Sequence, residues 1–141
     1  SHNKDVSILN MITVNKLIET NFKIIRPEQT LRDLLPIIST STRNIYPVVD
    51  EKGNFKGHVL FDSIRKIIFD PEQYDTLIED IMLLPDYLVT TEDSAEDVVK
   101  KFERSGNYNI AVVEGKKYLG YISRALIFTT YQATLKEISD D

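Results

Sequence analysis

PEQTLRDLLPIISTSTRNIYPVVD, running from Pro27 to Asp50, lies without a gap on TEDSAEDVVKKFERSGNYNIAVVE, from Thr91 to Glu114, when the chain is slid against itself by 64 positions. The identities are few: Glu28 on Glu92, Asp33 on Asp97, Ser41 on Ser105, and Val48-Val49 on Val112-Val113. What matches is the physical role of each position. Thr30-x-x-Asp33 and Ser94-x-x-Asp97 fall on each other, and each has the form of a capping box at a helix start. Apolar residues then follow at helical spacing, Leu31, Leu34, Leu35 and Ile38 in one copy and Ala95, Val98, Val99 and Phe102 in the other. Pro36 lies inside the first of these helices, which is therefore expected to be short or kinked.

Downstream, both copies read as a hairpin. Ile45 to Asp50 leads through a Gly53-Asn54 turn into Phe55 to Phe61, and Ile110 to Val113 leads through Gly115 into Tyr118 to Ser123. One residue is lost in the second turn, so Gly57 matches Gly120 at an offset of 63. Upstream of each cap a strand is expected, at 22–26 and at 87–90, and before it a helical piece, with Val14, Leu17 and Ile18 matching Ile78, Ile81 and Met82. Helices over 62–69, ended by Asp70-Pro71, and from Arg124 to about Ile138 close the two copies. The predicted fold is thus α/β, two repeats over 12–70 and 77–138 after an extension at 1–11, with a short linker between them. Neither copy has the strands to bury both faces of its sheet, so the two are expected to share one interior about a pseudo-twofold axis.

Composition narrows the function. The chain of 141 residues has 42% hydrophobic and 28% charged residues, which describes a packed globular body. Its net charge is −5 with Lys and Arg scattered, so no concentrated basic face is offered to nucleic acid. There is no Cys, hence no disulfide or thiolate chemistry. No apolar run approaches the roughly 20 residues needed to span a bilayer, so no membrane insertion is expected of this segment. Ser1-His2 reads as a cloning remnant.

The string NIYPVVDEKGNFKGHVLFDSI, 44–64, resembles the signature of the CBS domain, and its second occurrence makes the chain similar to a tandem CBS pair, or Bateman module, over about Ile12 to Tyr131. HVLFDSIRKIIFDPEQYDTL and GYISRALIFTTYQATLKEIS are similar to the cytosolic tail of bacterial CLC-type chloride channels and transporters. The resemblance implies a regulatory module at the cytoplasmic face of a membrane, tied to a membrane-embedded transporter domain of the same chain and without catalytic residues; a homodimer is expected because the repeat helices should leave an apolar stripe at the outer face that symmetric pairing would cover. It also implies regulatory adenosine ligands such as AMP, ADP, ATP or S-adenosylmethionine. Their adenine would pack on residues at the strand starts, Ile24, Ile45, Tyr46, Pro47, Tyr87 and Ile110, with Asp62, Ser63, Ser123 and Arg124 at the helix starts beside the ribose and phosphates.

In the family pattern an Asp three positions after a Ser or Thr accepts both ribose hydroxyls. Here those positions hold Leu60 and Ser63 in one copy, with Asp62 displaced by one, and Ser123 and Leu126 in the other. Asp62 and Ser123 each read either as a ribose contact or as an N-cap, the cap being favoured. Tyr46 reads equally as a purine wall or as an ordinary strand aromatic. Arg43, Arg65 and Arg124 are phosphate candidates against the more common solvated surface Arg. His58, without a second internal His, is expected at a surface strand position. Glu92, Asp93, Glu96 and Asp97 coincide with a helix N-terminus and are assigned to its dipole, with a Ca2+ or Mg2+ site as the lesser alternative. The alternative to a nucleotide sensor is a degenerate pair serving as a dimerisation scaffold.

Overall fold

The computed structural model describes residues 2–139, and the side chains from residue 4 onward. Helices α1 (His2–Leu9), α2 (Leu31–Thr40), α3 (Phe61–Ile64), α4 (Ile78–Ile81), α5 (Ala95–Ser105) and α6 (Arg124–Ser139) alternate with strands β1 (Ile45–Val49), β2 (Phe55–Leu60), β3 (Val89–Thr90), β4 (Asn109–Glu114) and β5 (Lys117–Ser123). Short 3-10 turns lie at Val14–Leu17, Ile67–Phe69 and Pro71–Gln73. The α/β class and the doubled unit are as the sequence predicts.

The chain divides into two compact units. The first-hairpin unit holds Asn21–Pro85 with Lys116–Tyr118; the second-hairpin unit holds the residues up to Thr20, Asp86–Gly115 and those from Leu119 on. The division does not follow the repeats. The Val14–Leu17 turn, which opens the first repeat in sequence, belongs to the unit of the second hairpin, and α4, which opens the second repeat, belongs to the unit of the first. The helical turn that leads one repeat thus completes the core of the other.

The buried side chains accordingly form two clusters. In the first-hairpin unit Ile25, Leu31, Leu34, Tyr46, Val48, Val59 and Ile64 pack with Ile78 of α4, and Ile81 and Met82 lie against them. In the second, Val89, Ala95, Val98, Phe102, Ile110, Val112, Ile122 and Ile127 pack with Leu9, Ile12 and Val14, and Leu17 and Ile18 lie against them. Each cluster is closed on one face of its sheet by helices of its own unit. Burying side chains of this size stabilises by roughly 1.5–3 kcal/mol each.

The two capping boxes are formed. Thr30 and Ser94 accept the backbone N–H of Asp33 and Asp97, whose carboxylates accept the N–H of Thr30 and Ser94. The backbone N–H of Ser94, above all, holds the Asp97 carboxyl below its ordinary value. Pro36 leaves α2 unbroken over ten residues, one fewer than the eleven of α5. It sits on the exposed side, where the ring points away from the core. The helix expected over 62–69 is instead α3, four residues long, followed by the 3-10 turn at Ile67–Phe69. The strand expected at 22–26 is reduced to a parallel bridge from Ile25 to Val48, matching β3, where Val89 pairs with Val112.

Candidate functional site

The site follows from which face of each sheet a residue occupies. β1 and β2 pair antiparallel with Tyr46 opposite Val59, Pro47 opposite His58 and Ile45 opposite Leu60. Cross-strand partners share a face and neighbours along a strand alternate. Tyr46, Val48, Val59 and Ile25 belong to the core cluster. Ile45, Pro47, His58 and Leu60 therefore occupy the opposite face, and Ile24, one residue before Ile25, joins them beside Pro47. Ile24 is 44% exposed, a large apolar side chain left at the open end of that row.

The same rule separates the residues singled out from sequence. Ile24, Ile45 and Pro47 come together on one apolar platform. Tyr46 does not join them: it is 1% exposed within the core, where burial raises its hydroxyl above the ordinary value, so it takes the strand-aromatic role. Ile110 likewise faces its own core cluster, and Ala111 takes the place opposite. Tyr87, two residues before Val89 and outside β3, is half-buried.

Beside each platform a helix begins directly at the end of a strand. The N–H of Phe61 donates to the Asn44 carbonyl and the N–H of Arg124 to the Tyr108 carbonyl, both at 2.9 Å, so the two helix starts are tethered alike. Their polar groups are engaged differently. The N-cap of α3 is Leu60, and Asp62 sits inside the first turn with its carboxylate 2.6 Å from the Arg65 guanidinium, which corrects the N-cap reading of Asp62. Ser63 donates its hydroxyl proton to the Leu60 carbonyl. In the other unit Ser123 does cap, accepting the N–H of Leu126 at 3.0 Å.

The arginines are also spoken for. Arg124 donates to the carbonyls of Phe102 and Asn107 at 2.7 and 3.1 Å, tying the α6 start to the end of α5. Arg43 donates to Asn21 and stacks on Phe22, its guanidinium carbon 4.3 Å from the ring centre. Asp93 pairs with Lys101 at 2.6 Å and accepts the Thr90 N–H, and Glu96 pairs with Lys100 at 3.3 Å. Among the described residues no group of three His, Cys, Asp or Glu converges on a metal-sized site.

Two features escaped the sequence reading. His58 is 9% exposed, against the expectation of a surface position, and burial holds its imidazole below the ordinary value. A crossing strap pairs with the same residue: Leu83, just after α4, exchanges both backbone hydrogen bonds with His58 at 2.8 and 3.0 Å. Glu19, just after the Val14–Leu17 turn, does the same with Tyr121 at 2.7 and 2.9 Å. The preceding glycines make room for these straps. A Cβ on Gly57 would stand 2.7 Å from the Leu83 carbonyl oxygen, and one on Gly120 would stand 2.3 Å from that of Glu19. The offset of 64 between Glu19 and Leu83 was the available signal.

Two concave regions lie elsewhere. One of about 500 Å³ is bounded by α1, α5 and α6, with Val6, Leu9, Val99, Phe128 and Tyr131 among its walls. The other, about 430 Å³, surrounds the β1–β2 turn at Glu28, Asp50 and Asn54. Neither includes a residue of the platforms.

A doubled strand-and-helix unit with a helix starting directly at the end of each hairpin defines a paired-repeat module. The CBS domain matches residues 14–70 and 78–131, and the chain belongs to that family, carrying the domain twice. Comparison with curated proteins gives no match. Among solved structures, CbpB in complex with c-di-AMP is similar at TM-score 0.80 and 12% identity, covering 98% of this chain and 96% of that one. The CBS domain of the bacterial CNNM/CorC family Mg2+ transporter in complex with ATP is similar at 0.75 and 17%, covering 92% and 93%. CBSX2 in complex with AMP is similar at 0.66 and 19%, covering 88% and 96%. At these identities the likeness shows the fold. No helix among the described residues is long and apolar enough to cross a membrane.

Proposed function

We propose that the chain is a regulatory module that binds an adenine nucleotide and carries out no covalent chemistry. It acts as a homodimer on the cytoplasmic side of a membrane transporter of the CLC type within the same polypeptide. The observation that carries the ligand reading is the platform of Ile24, Ile45, Pro47 and Leu60, where an apolar row with an exposed end abuts a helix start. A purine face suits such a row, and a helix N-terminus suits a phosphate. Support comes from family members of the same fold described with AMP, ATP and c-di-AMP. The transporter reading rests on HVLFDSIRKIIFDPEQYDTL and GYISRALIFTTYQATLKEIS, and a transporter-borne relative shares the fold.

Titration calorimetry with AMP, ADP, ATP, S-adenosylmethionine and c-di-AMP tests the ligand reading. Heat with at least one, abolished by Ile24→Glu at an already exposed position, is the expected result. Absence of heat with all five favours the second reading, a dimerisation scaffold. That reading draws on Leu126 and on the Asp62–Arg65 pair, which leave the helix starts without the family's ribose acceptor.

A further inference from the structure

We propose that the groove between α1, α5 and α6 docks a short amphipathic helix with an apolar face and basic flanks, a partner distinct from the nucleotide considered above. The concavity of about 500 Å³ lies within the second-hairpin unit, and each of the three helices gives it one stripe of side chains. α5 contributes Glu96, Val99, Lys100 and Glu103, at i, i+3, i+4 and i+7. α6 contributes Phe128, Tyr131 and Gln132, at i, i+3 and i+4, and α1 adds Asp5, Val6 and Leu9. The apolar part is incompletely covered. Leu9 is buried and Val6, Val99 and Tyr131 are half-buried, but Phe128 keeps 40% of its surface exposed.

The walls decide the shape of the occupant. Helix sides offer side chains and no open strand edge, so an extended segment laid there would leave its own N–H and C=O groups unpaired, whereas a helix pairs them internally. α5, with its eleven residues, runs about 16 Å, room for about three turns of a partner helix. The rim decides the charge. It carries three carboxylates, Asp5, Glu96 and Glu103, against the single ammonium of Lys100. Lys100 already pairs with Glu96 at 3.3 Å, and Asp5 accepts the Tyr131 hydroxyl proton while keeping its charge. Asp5 and Glu103 are exposed, so the field left at the rim is negative and is met by Lys or Arg flanking an apolar stripe. A second copy of this chain fits less well: a symmetric contact lays one surface on itself and would set this acidic rim against its twin.

Fluorescence anisotropy tests this with the whole chain and two labelled helical peptides of about 14 residues, both with Leu at i, i+3, i+4 and i+7, one with Lys and its twin with Glu on the flanks. The Lys peptide is expected to bind about tenfold more tightly than the Glu twin, or better. Glu103→Lys should weaken it about fivefold, whereas Glu79→Lys, the same charge change at an exposed place on α4, should leave it within about twofold. Phe128→Ser, at a position already part exposed, should weaken it about tenfold. Equal binding of the two peptides, binding of neither, or equal responses to Glu103→Lys and Glu79→Lys would overturn the proposal. Light scattering on the Phe128→Ser chain gives a second check. A mass equal to that of the natural chain is expected, and a fall to a smaller assembly would assign the groove to a second copy and overturn the proposal.

Discussion

In the first-hairpin unit the helix after the hairpin stops at Ile64, whereas in the second the corresponding helix runs from Arg124 to Ser139. Upstream of that point the two units agree almost position by position: a bridge or strand at Ile25 and Val89, a capping box, a buried β-pair, a glycine and a strap. The difference is local in origin. After Ile64 the chain tightens into the 3-10 turn at Ile67–Phe69, and Asp70 then caps a second one that Pro71 opens. α6 has no such stop and finds a partner in α1, where the Tyr131 hydroxyl meets the Asp5 carboxylate. The strap, its glycine and the sheet are what the unit requires; the closing helix is free to vary.

If the straps are the common requirement, the two glycines should be the most sensitive positions. Gly120→Ala should cost about 3 to 5 kcal/mol, from overlap with the strap and strained backbone together. Gly57→Ala, whose added Cβ meets a longer 2.7 Å approach, should cost about 2 to 4 kcal/mol. Urea denaturation measures both, and a Gly57 variant less stable than the Gly120 variant would reverse the order expected.

The residues behind the straps differ, and pH separates them. Burial depresses the folded pKa of His58 below the ordinary histidine value, so the unfolded chain binds more protons as pH falls. Stability is therefore full above that value and is lost as pH drops through it toward the folded pKa, by at most about 1.4 kcal/mol per pH unit. Denaturation midpoints at neutral and mildly acidic pH should differ for the natural chain, and His58→Tyr should remove the contribution of this residue. A pH response unchanged by the substitution would place it elsewhere.

The capping boxes are the point of greatest likeness, and the effects there should be the smallest and the most even. Thr30→Ala and Ser94→Ala should each cost about 1 kcal/mol, equal within a few tenths. An inequality beyond 1 kcal/mol would mean that the two helix starts are not equivalent.

The repeat was legible because its markers are local. A capping box, helical spacing and a turn glycine each act within a few residues, so Thr30 and Ser94 announced themselves. The straps were not, because Glu19 and Leu83 have no side-chain pattern: their role is carried by backbone groups that any residue possesses. Missing them hid the exchange of leading turns between units. Tyr46 and Ile110 were assigned to the ligand by their position at a strand start; strand alternation puts both on the core face. The first turn of α3 misled for a different reason. Asp62 is a good N-cap residue type, yet Leu60 already takes that place because the strand runs straight into the helix.

Amide hydrogen exchange on the intact chain tests the exchanged turns most directly. The amides of Glu19, His58, Leu83 and Tyr121 should exchange as slowly as those of the central strand residues Val49 and Val113, and Gly120→Ala should release Glu19 and Tyr121 while leaving His58 and Leu83 protected. Rapid exchange at Glu19 and Leu83 in the natural chain would contradict the account, since each repeat's leading turn would then be loose rather than part of the other repeat's unit.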